Sequence, residues 1–103
     1  GNDPHTGAAC SGFVKYVLSH VAGVGLPRTS REQAKTGRSV KSSEMRPGDL
    51  IFYTNSKGTV NHVAMYIGNG QIVHAASRRS GIKISTWNYR TPVCIVDVIG
   101  NRS

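Results

Sequence analysis

The amino-acid sequence predicts an α+β domain, with helices near the N-terminus and an antiparallel sheet after them. Two patterns indicate this class. Apolar residues recur at three- and four-residue spacing soon after the start of the chain, as in an amphipathic helix. After residue 48, short segments rich in Val, Ile, Tyr and Phe follow one another without a helical pattern between them. Because such strands favour antiparallel pairing, we expect the helices to pack on one side of a sheet of about five strands.

The first helix is predicted from Ser11 to Ala22, with Cys10 at its start. Its apolar positions lie on one face, and Gly23 and Gly25 follow as stop signals. The residues of this face are Phe13, Val14, Val17, Leu18 and Val21. We therefore expect this helix to bury one side against the sheet.

A second, short helix is predicted from about Arg31 to Thr36. Thr29 and Glu32 have the spacing of a capping box, in which side chains satisfy backbone N–H groups at the helix start. Ser30 and Gln33 have the same spacing. Both pairs fit the sequence, so either hydroxyl can begin the helix.

The rest of the chain predicts strands separated by turn residues. The predicted strands are Asp49–Thr54, Asn61–Ile67, Gln71–Ala76, Ile82–Thr86 and Val93–Val98. The first residues, Gly1 to Gly7, predict a loop. A chain of this length buries roughly 65% of its surface in one hydrophobic core, so we expect a single domain over residues 1–103.

The hairpin between the second and third of these strands decides whether His62 and His74 share a face of the sheet. Side chains alternate between the two faces, so a shift of one residue in register separates the two histidines. A two-residue turn places them on opposite faces. A three-residue loop, Gly68–Gly70, with Ile67 opposite Gln71, places them on one face. Only this second arrangement allows one imidazole to orient the other.

The composition describes a basic chain, with 13 Lys and Arg against 5 Asp and Glu and a formal net charge of +8. No apolar stretch approaches the ~20 residues that a membrane-spanning helix requires. The cations accompany no helix-turn-helix, zinc finger or aromatic RNA-binding motif, so we do not expect nucleic acid as a partner. An anionic polymer such as a bacterial cell wall fits the charge by long-range attraction.

Cys10 is the residue whose position indicates chemistry. At a helix N-terminus, unpaired N–H groups and the helix dipole stabilise a thiolate, so we expect a lowered Cys10 pKa. The same N–H groups can hold an oxyanion. A lone cysteine is also commonly a small buried residue, which is how Cys94 fits its apolar strand. His20 lies further along the same helix, about 15 Å away at ~1.5 Å per residue, and cannot be the base for Cys10.

Five motifs occur in the order found in one family. They are Ala9-Cys10-Ser11-Gly12-Phe13-Val14, Leu26-Pro27-Arg28-Thr29-Ser30 with Gln33, Arg46-Pro47-Gly48-Asp49-Leu50-Ile51-Phe52, His62-Val63-Ala64-Met65-Tyr66-Ile67-Gly68, and His74-Ala75. Through them the chain from Gly1 to about Val98 resembles the NlpC family of bacterial cell-wall cysteine peptidases. The resemblance implies a papain-like α+β fold, chemistry without a cofactor, and a secreted or wall-associated location.

The resemblance also implies a Cys-His-His site. Cys10 would be the nucleophile, His62 the general base and His74 the residue that orients it. The implied substrate is the stem peptide of peptidoglycan, cut between D-glutamate, which is joined through its side-chain carboxyl, and a diamino acid. The substrate-binding residues that the resemblance implies are Ser11, Arg28 and Ser30.

Two departures from the family pattern bear on activity. Ala9 stands where members usually carry an aspartate associated with binding the stem peptide. A Tyr-containing segment ending in Gly-Gly normally precedes the cysteine, so we expect a domain that lacks its N-terminal segment and works beside flanking wall-binding or lytic domains. These departures keep open a second function, a catalytically impaired wall-binding or regulatory module of the same fold.

Two further alternatives fit less well. An acyltransferase or lipid hydrolase on a related fold predicts a histidine before the cysteine, whereas here Cys10 comes first. A zinc site built from Cys10, His62 and His74 lacks the close ligand pair of usual zinc sites, so we expect no metal. The sequence therefore favours a cysteine endopeptidase.

Overall fold

The computed structural model describes residues 8–77 and 81–100 of the chain. Its elements in chain order are α1 (Ala8–Val21), α2 (Ser30–Gln33), β1 (Arg38–Ser39), a 3-10 turn (Ser42–Glu44), β2 (Leu50–Thr54), β3 (Val60–Gly68), β4 (Gln71–Ser77), β5 (Gly81–Thr86) and β6 (Pro92–Asp97). The loop predicted for Gly1–Gly7 lies outside the described residues. Within the described ranges, neither helix is long and apolar enough to cross a membrane.

The strands form one antiparallel sheet in the order β1-β6-β2-β3-β4-β5. The predicted α+β class is therefore confirmed, and each of the five predicted strands is present. The sheet has one strand more than expected. This strand, β1, is two residues long and pairs with β6 through Arg38–Asp97 and Ser39–Val96. A segment this short has no alternation of apolar and polar residues that the sequence could show.

Helix α1 packs on one face of the sheet and builds the larger core. It begins three residues before the predicted start at Ser11, which places Cys10 in its first turn. The buried residues of this core are Cys10, Val14, Leu18, Leu26, Leu50, Phe52, Val63 and Val96. Val14 and Leu18 come from the predicted apolar face, so the helical periodicity identified the side that is buried.

A second core lies on the opposite face of the sheet. Its buried residues are Ile51, Tyr53, Ala64, Ile72 and Ile95, and half-buried Val40, Met45, Tyr66 and Trp87 pack over them. No helix covers this face among the described residues; loop segments do. The two faces alternate along β2, because Leu50 and Phe52 belong to the first core whereas Ile51 and Tyr53 belong to the second.

The second helix is a single turn, Ser30–Gln33, and is shorter than predicted. Thr29 is its N-cap: the backbone N–H of Glu32 donates to Thr29 Oγ1 at 3.1 Å, and that hydroxyl donates to the Glu32 carboxylate at 2.9 Å. Of the two predicted capping pairs, the first is therefore the one that forms. Buried Gln33 then connects the helices, since its Nε2 donates to the Ser11 carbonyl at 3.1 Å.

The hairpin between β3 and β4 differs from the predicted loop. Gly68, not Ile67, is opposite Gln71, so the turn consists of Asn69 and Gly70, both with positive φ (56° and 74°). Ile67 is an extra residue in β3, a bulge that sits between two paired positions and leaves its side chain 39% exposed. Beyond the bulge, Tyr66 pairs with Ile72 and Met65 with Val73, which is the register that the predicted three-residue loop would give.

Candidate active site

The site lies where β3 and β4 stop pairing. Their ladder runs from Gly68–Gln71 to Met65–Val73 and ends there, while β4 continues alongside β5. The backbone N–H and C=O groups of Tyr66 point toward β2, because its N–H donates to the Asp49 carbonyl and its carbonyl accepts from the Gly48 N–H. Backbone groups alternate in direction, so those of odd-numbered residues in β3 point toward β4. Beyond Met65 these groups face a gap between the two strands.

Cys10 fills this gap. Its thiol, on a residue 1% exposed, points to the Asn61 carbonyl oxygen at 3.9 Å. The backbone N–H of Val63 donates to the same sulfur. The first turn of α1 therefore takes the place of the missing β4 partner, and the thiol contacts the backbone on both sides of His62.

His62 and His74 form the next part of the site. His62 Nε2 and His74 Nδ1 are 2.9 Å apart, and the two rings meet edge to face. His74 Nε2 lies 3.0 Å from the Ser85 hydroxyl in β5. The prediction that the two histidines share a face is confirmed. Ser85 was not predicted, because only the β4–β5 pairing places it beside His74.

The surroundings keep both imidazoles neutral. His62 is 8% exposed, and burial, His74 and Arg90 lower its pKa from 6.5 to about 4. Burial, Lys83 and Arg90 also lower the pKa of His74. At neutral pH, His62 can therefore accept a proton. The nitrogen available for this is Nδ1, because Nε2 is engaged by His74.

The expected lowering of the Cys10 pKa is wrong in direction. Burial of the thiol raises its pKa above the ordinary value. The backbone N–H groups of Val63, Ser11 and Cys10, together with the Arg90 charge, oppose this rise but do not outweigh it. The helix N-terminus contributes as expected, yet desolvation of the sulfur is larger. The resting pair at neutral pH is therefore a thiol beside a neutral imidazole.

Aromatic rings enclose the histidines on the second face of the sheet. The Tyr53 ring lies 5.8 Å from the His62 ring, and Tyr89 lies 5.3 Å from His74. Tyr53 donates its hydroxyl proton to the Trp87 carbonyl, and burial raises its pKa. Tyr89 and Arg90 belong to the β5–β6 loop. Sequence reasoning missed them because no periodic or motif signal marks a loop residue that returns to a distant site.

The three predicted substrate-binding residues lie in different settings. Ser11 is buried next to Cys10 and is held through its carbonyl by Gln33. Ser30 is buried in α2, whereas Arg28 is exposed. No three His, Cys, Asp or Glu side chains within residues 8–77 and 81–100 are grouped as ligands for a metal ion.

Comparison with known proteins identifies the family. The model of the NlpC/P60 family matches residues 1–95. The chain belongs to the NlpC/P60 family. Among curated NlpC/P60 relatives, the murein DD-endopeptidase MepS/murein LD-carboxypeptidase of Escherichia coli K12 is 43% identical over 88 residues, which are 85% of this chain and 46% of that protein. The gamma-D-glutamyl-L-lysine dipeptidyl-peptidase of Bacillus subtilis is 36% identical over 95 residues, 87% of this chain and 32% of that protein.

Solved NlpC/P60 structures show the same fold. A family member from Bacillus cereus ATCC 10987 superimposes with a TM-score of 0.81 at 31% identity, covering 88% of this chain and 32% of that one. The peptidoglycan hydrolase RipB of Mycobacterium tuberculosis gives 0.73 at 38% identity, covering 88% and 45%. The domain is therefore papain-like, as the motifs implied. The chain spans less than half the length of these relatives.

Proposed function

We propose that this NlpC/P60 domain is a cysteine endopeptidase that hydrolyses the stem peptide of peptidoglycan. The observation that carries the proposal is the row of side chains at the open end of the β3–β4 pair, in which Cys10, His62 and His74 are buried. A thiol lies against the backbone around His62, His62 meets His74 at 2.9 Å, and His74 meets Ser85 at 3.0 Å. A nucleophile, a base and an orienting group in this order are what acyl transfer requires.

The proposed reaction starts from the neutral pair. Cys10 Sγ attacks the carbonyl carbon of the scissile amide while its proton moves to His62 Nδ1. The C–N bond then breaks, His62 gives the proton to the leaving amine, and the acyl group remains on Cys10 as a thioester. In the second half, His62 takes a proton from water, the hydroxide attacks the thioester, and the carboxylic acid leaves as the Cys10 thiol is restored.

The role of His74 is to fix the tautomer of His62. If His62 accepts a proton at Nδ1, its Nε2 must carry the hydrogen and donate it to His74 Nδ1. His74 Nε2 then carries its own hydrogen and donates to the Ser85 hydroxyl. Each ring is thereby held in one orientation. The relay therefore keeps His62 Nδ1 unprotonated and in place to take the proton of the thiol.

The proposed substrate is supported by the named activities of relatives and by the positive net charge of the chain. We propose that the cut bond joins the D-glutamate side-chain carboxyl to a diamino acid, because one relative is named for γ-D-glutamyl-L-lysine cleavage. Another relative is named a DD-endopeptidase, so a bond between two D-residues is the competing specificity. Ser11, Arg28 and Ser30 are the proposed binding residues. The net charge of +8 supports action at an anionic bacterial wall.

The competing function is a wall-binding or regulatory module that does not turn over substrate. Ala9 supports it, because the family aspartate at this position is associated with stem-peptide binding. The intact row from Cys10 to Ser85 argues against it. We expect Ala9 to weaken substrate binding and leave the reacting groups in place. The change Ala9→Asp should accordingly lower the Michaelis constant without changing kcat.

Digestion of purified muropeptides tests the proposal and separates these alternatives. The protein, Cys10→Ala and the control Cys94→Ala are each incubated with the muropeptides, and the products are identified by mass. Cleavage by the parent and by Cys94→Ala, but not by Cys10→Ala, is expected. Product masses distinguish the γ-D-glutamyl bond from a DD bond. Binding without cleavage by the parent would favour the wall-binding module, and cleavage by Cys10→Ala would exclude the proposed nucleophile.

A further inference from the structure

Arg90 reaches from the β5–β6 loop to the edge of the site. Its Nη2 donates a hydrogen bond to the Thr54 carbonyl, and its guanidinium carbon lies 5.6 Å from the centre of the Tyr53 ring. That ring is 5.8 Å from His62. The guanidinium and the His62 imidazole are therefore both direct neighbours of the Tyr53 ring.

The charge of Arg90 is not compensated within the described chain. No carboxylate in residues 8–77 and 81–100 forms an ion pair with Arg90, although its side chain is half-buried. A guanidinium has five N–H donors, and the bond to Thr54 uses part of this capacity. A partly desolvated cation without a counter-ion favours binding of an anion, and its planar fork fits a carboxylate.

The field of Arg90 reaches the reacting groups. It lowers the pKa of Cys10, His62 and His74 alike. The contacts with Thr54 and the Tyr53 ring place the guanidinium on the side of the site formed by the β5–β6 loop. An anion bound to Arg90 would therefore lie near the Tyr53 ring, which neighbours His62.

We propose that Arg90 binds a carboxylate of the substrate and makes the site selective for anionic peptides. The inference rests on the proposed function for the identity of the peptide. A glutamate joined through its side chain keeps a free α-carboxylate, and a diaminopimelate carries one carboxylate more than a lysine. Either of these two carboxylates could accept hydrogen bonds from the guanidinium.

Calorimetric binding to a protein that cannot turn over tests this assignment. The Cys10→Ala protein is titrated with the tripeptide L-alanyl-γ-D-glutamyl-diaminopimelate, and the titration is repeated with Arg90→Gln added. Loss of a charge-assisted hydrogen bond should weaken binding by about tenfold or more. The control, Arg38→Gln, removes an equal charge beside Asp97, at the end of β6 away from Pro92 and the Arg90 loop, and should leave the dissociation constant unchanged.

Two analogues identify the carboxylate. One has the D-glutamate α-carboxyl amidated, and the other has lysine in place of diaminopimelate. The analogue that lacks the carboxylate bound by Arg90 should bind equally to the proteins with and without Arg90→Gln. Arg90→Lys keeps the charge without the fork, so it should give an intermediate affinity even if Arg90→Gln does not fold.

Equal effects of Arg90→Gln on all three peptides, an effect matched by Arg38→Gln, or no binding by the Cys10→Ala protein would each overturn the assignment. The proposed function is judged separately, by muropeptide turnover in the protein with Cys10 intact. Absence of turnover with Arg90-dependent binding would overturn the peptidase and leave the carboxylate site standing.

Discussion

The two ends of the β3–β4 pair have opposite characters. At the turn end the strands pair on both sides of the bulged Ile67, whose side chain is exposed, and the chain reverses through Asn69 and Gly70. At the other end the ladder has stopped, the backbone of β3 contacts the Cys10 thiol, and His62 joins the strands through its side chain. One hairpin thus holds an ordinary turn at one end and the proposed catalytic groups at the other.

The difference shows how this fold builds a site from a sheet. Because β3 and β4 do not pair beyond Met65, backbone groups of β3 remain available, and Cys10 in the first turn of α1 contacts them. The side chains that replace the ladder are buried and polar, so each requires a partner. His62 and His74 satisfy one another, and Ser85 completes the row. We therefore expect changes at the open end to alter chemistry, and changes at the turn end to alter stability alone.

The largest expected effect comes from His62→Ala. Removal of the general base should lower kcat/KM for muropeptide cleavage by roughly 10,000-fold. The control is His20→Ala, which removes an exposed histidine of α1 and should leave the rate unchanged. Comparable rates for the two variants would show that the open end is not the reactive end.

Lowering the pH from 7 to 4 should reduce the free energy of unfolding through His62, which lies at the open end. An unfolded His62 takes up a proton near its ordinary pKa of 6.5, whereas the folded residue stays neutral to about pH 4. Between these values the unfolded state binds more protons, so stability falls as the pH falls. The loss from His62 should reach about 3 kcal/mol near pH 4.

Urea denaturation at pH 7 and at pH 4 measures this loss. In His62→Gln the difference between the two pH values should be smaller than in the parent. A pH dependence of stability that is identical in the two proteins would contradict the neutral, buried state assigned to His62.

The effect of truncation should decrease along the row of side chains. His74→Ala leaves the base but removes the group that orients it, so kcat should fall by roughly 100-fold, the lower end of what acid–base catalysis contributes. Ser85→Ala removes a neutral hydrogen bond to His74 and should lower kcat by less than about tenfold. Both changes should leave the Michaelis constant near that of the parent. Initial rates on a muropeptide give the comparison, and a larger loss from Ser85→Ala would reverse the proposed order.

The smallest effect is expected at the turn end. Gly68 has a φ of +99°, which other residues adopt at a cost, and an added Cβ would meet only Pro47 at an ordinary 3.7 Å. Gly68→Ala should therefore lower the free energy of unfolding by about 1–2 kcal/mol through the backbone alone. Its kcat/KM should remain that of the parent at 25 °C. A loss of activity without a loss of stability would show that the two ends are coupled.

Much of the fold follows from local patterns. The apolar face of α1, the five long strands and the cap at Thr29 are visible in the sequence because each depends on residues close together along the chain. The alternation of side chains between the two faces predicted that His62 and His74 can share a face. This prediction is correct although the predicted turn is wrong. The bulge at Ile67 shifts the pairing by one residue, and the prediction placed the adjacent Gly68 in the turn instead of in a bulged strand.

The rest of the site depends on contacts between distant segments. Ser85, Tyr89 and Arg90 lie beside the histidines only because β5 and its following loop return to β4. The direction of the Cys10 pKa also needed the fold, since the helix position alone favours a thiolate and only the packing shows how deeply the sulfur is buried. The sequence predicted Cys10, His62 and His74 as the catalytic residues, whereas the side chains around them required the three-dimensional arrangement.

Trapping the acyl-enzyme tests the central claim, that the thiol at the open end of the β3–β4 pair is the nucleophile. The protein is mixed with a stem peptide, quenched in acid within the first turnovers and digested for mass spectrometry. We predict that the peptide containing Cys10 gains the mass of the acyl fragment and that the peptide containing Cys94 does not. Product formation without any adduct on Cys10, or equal product from Cys10→Ala, would contradict the account.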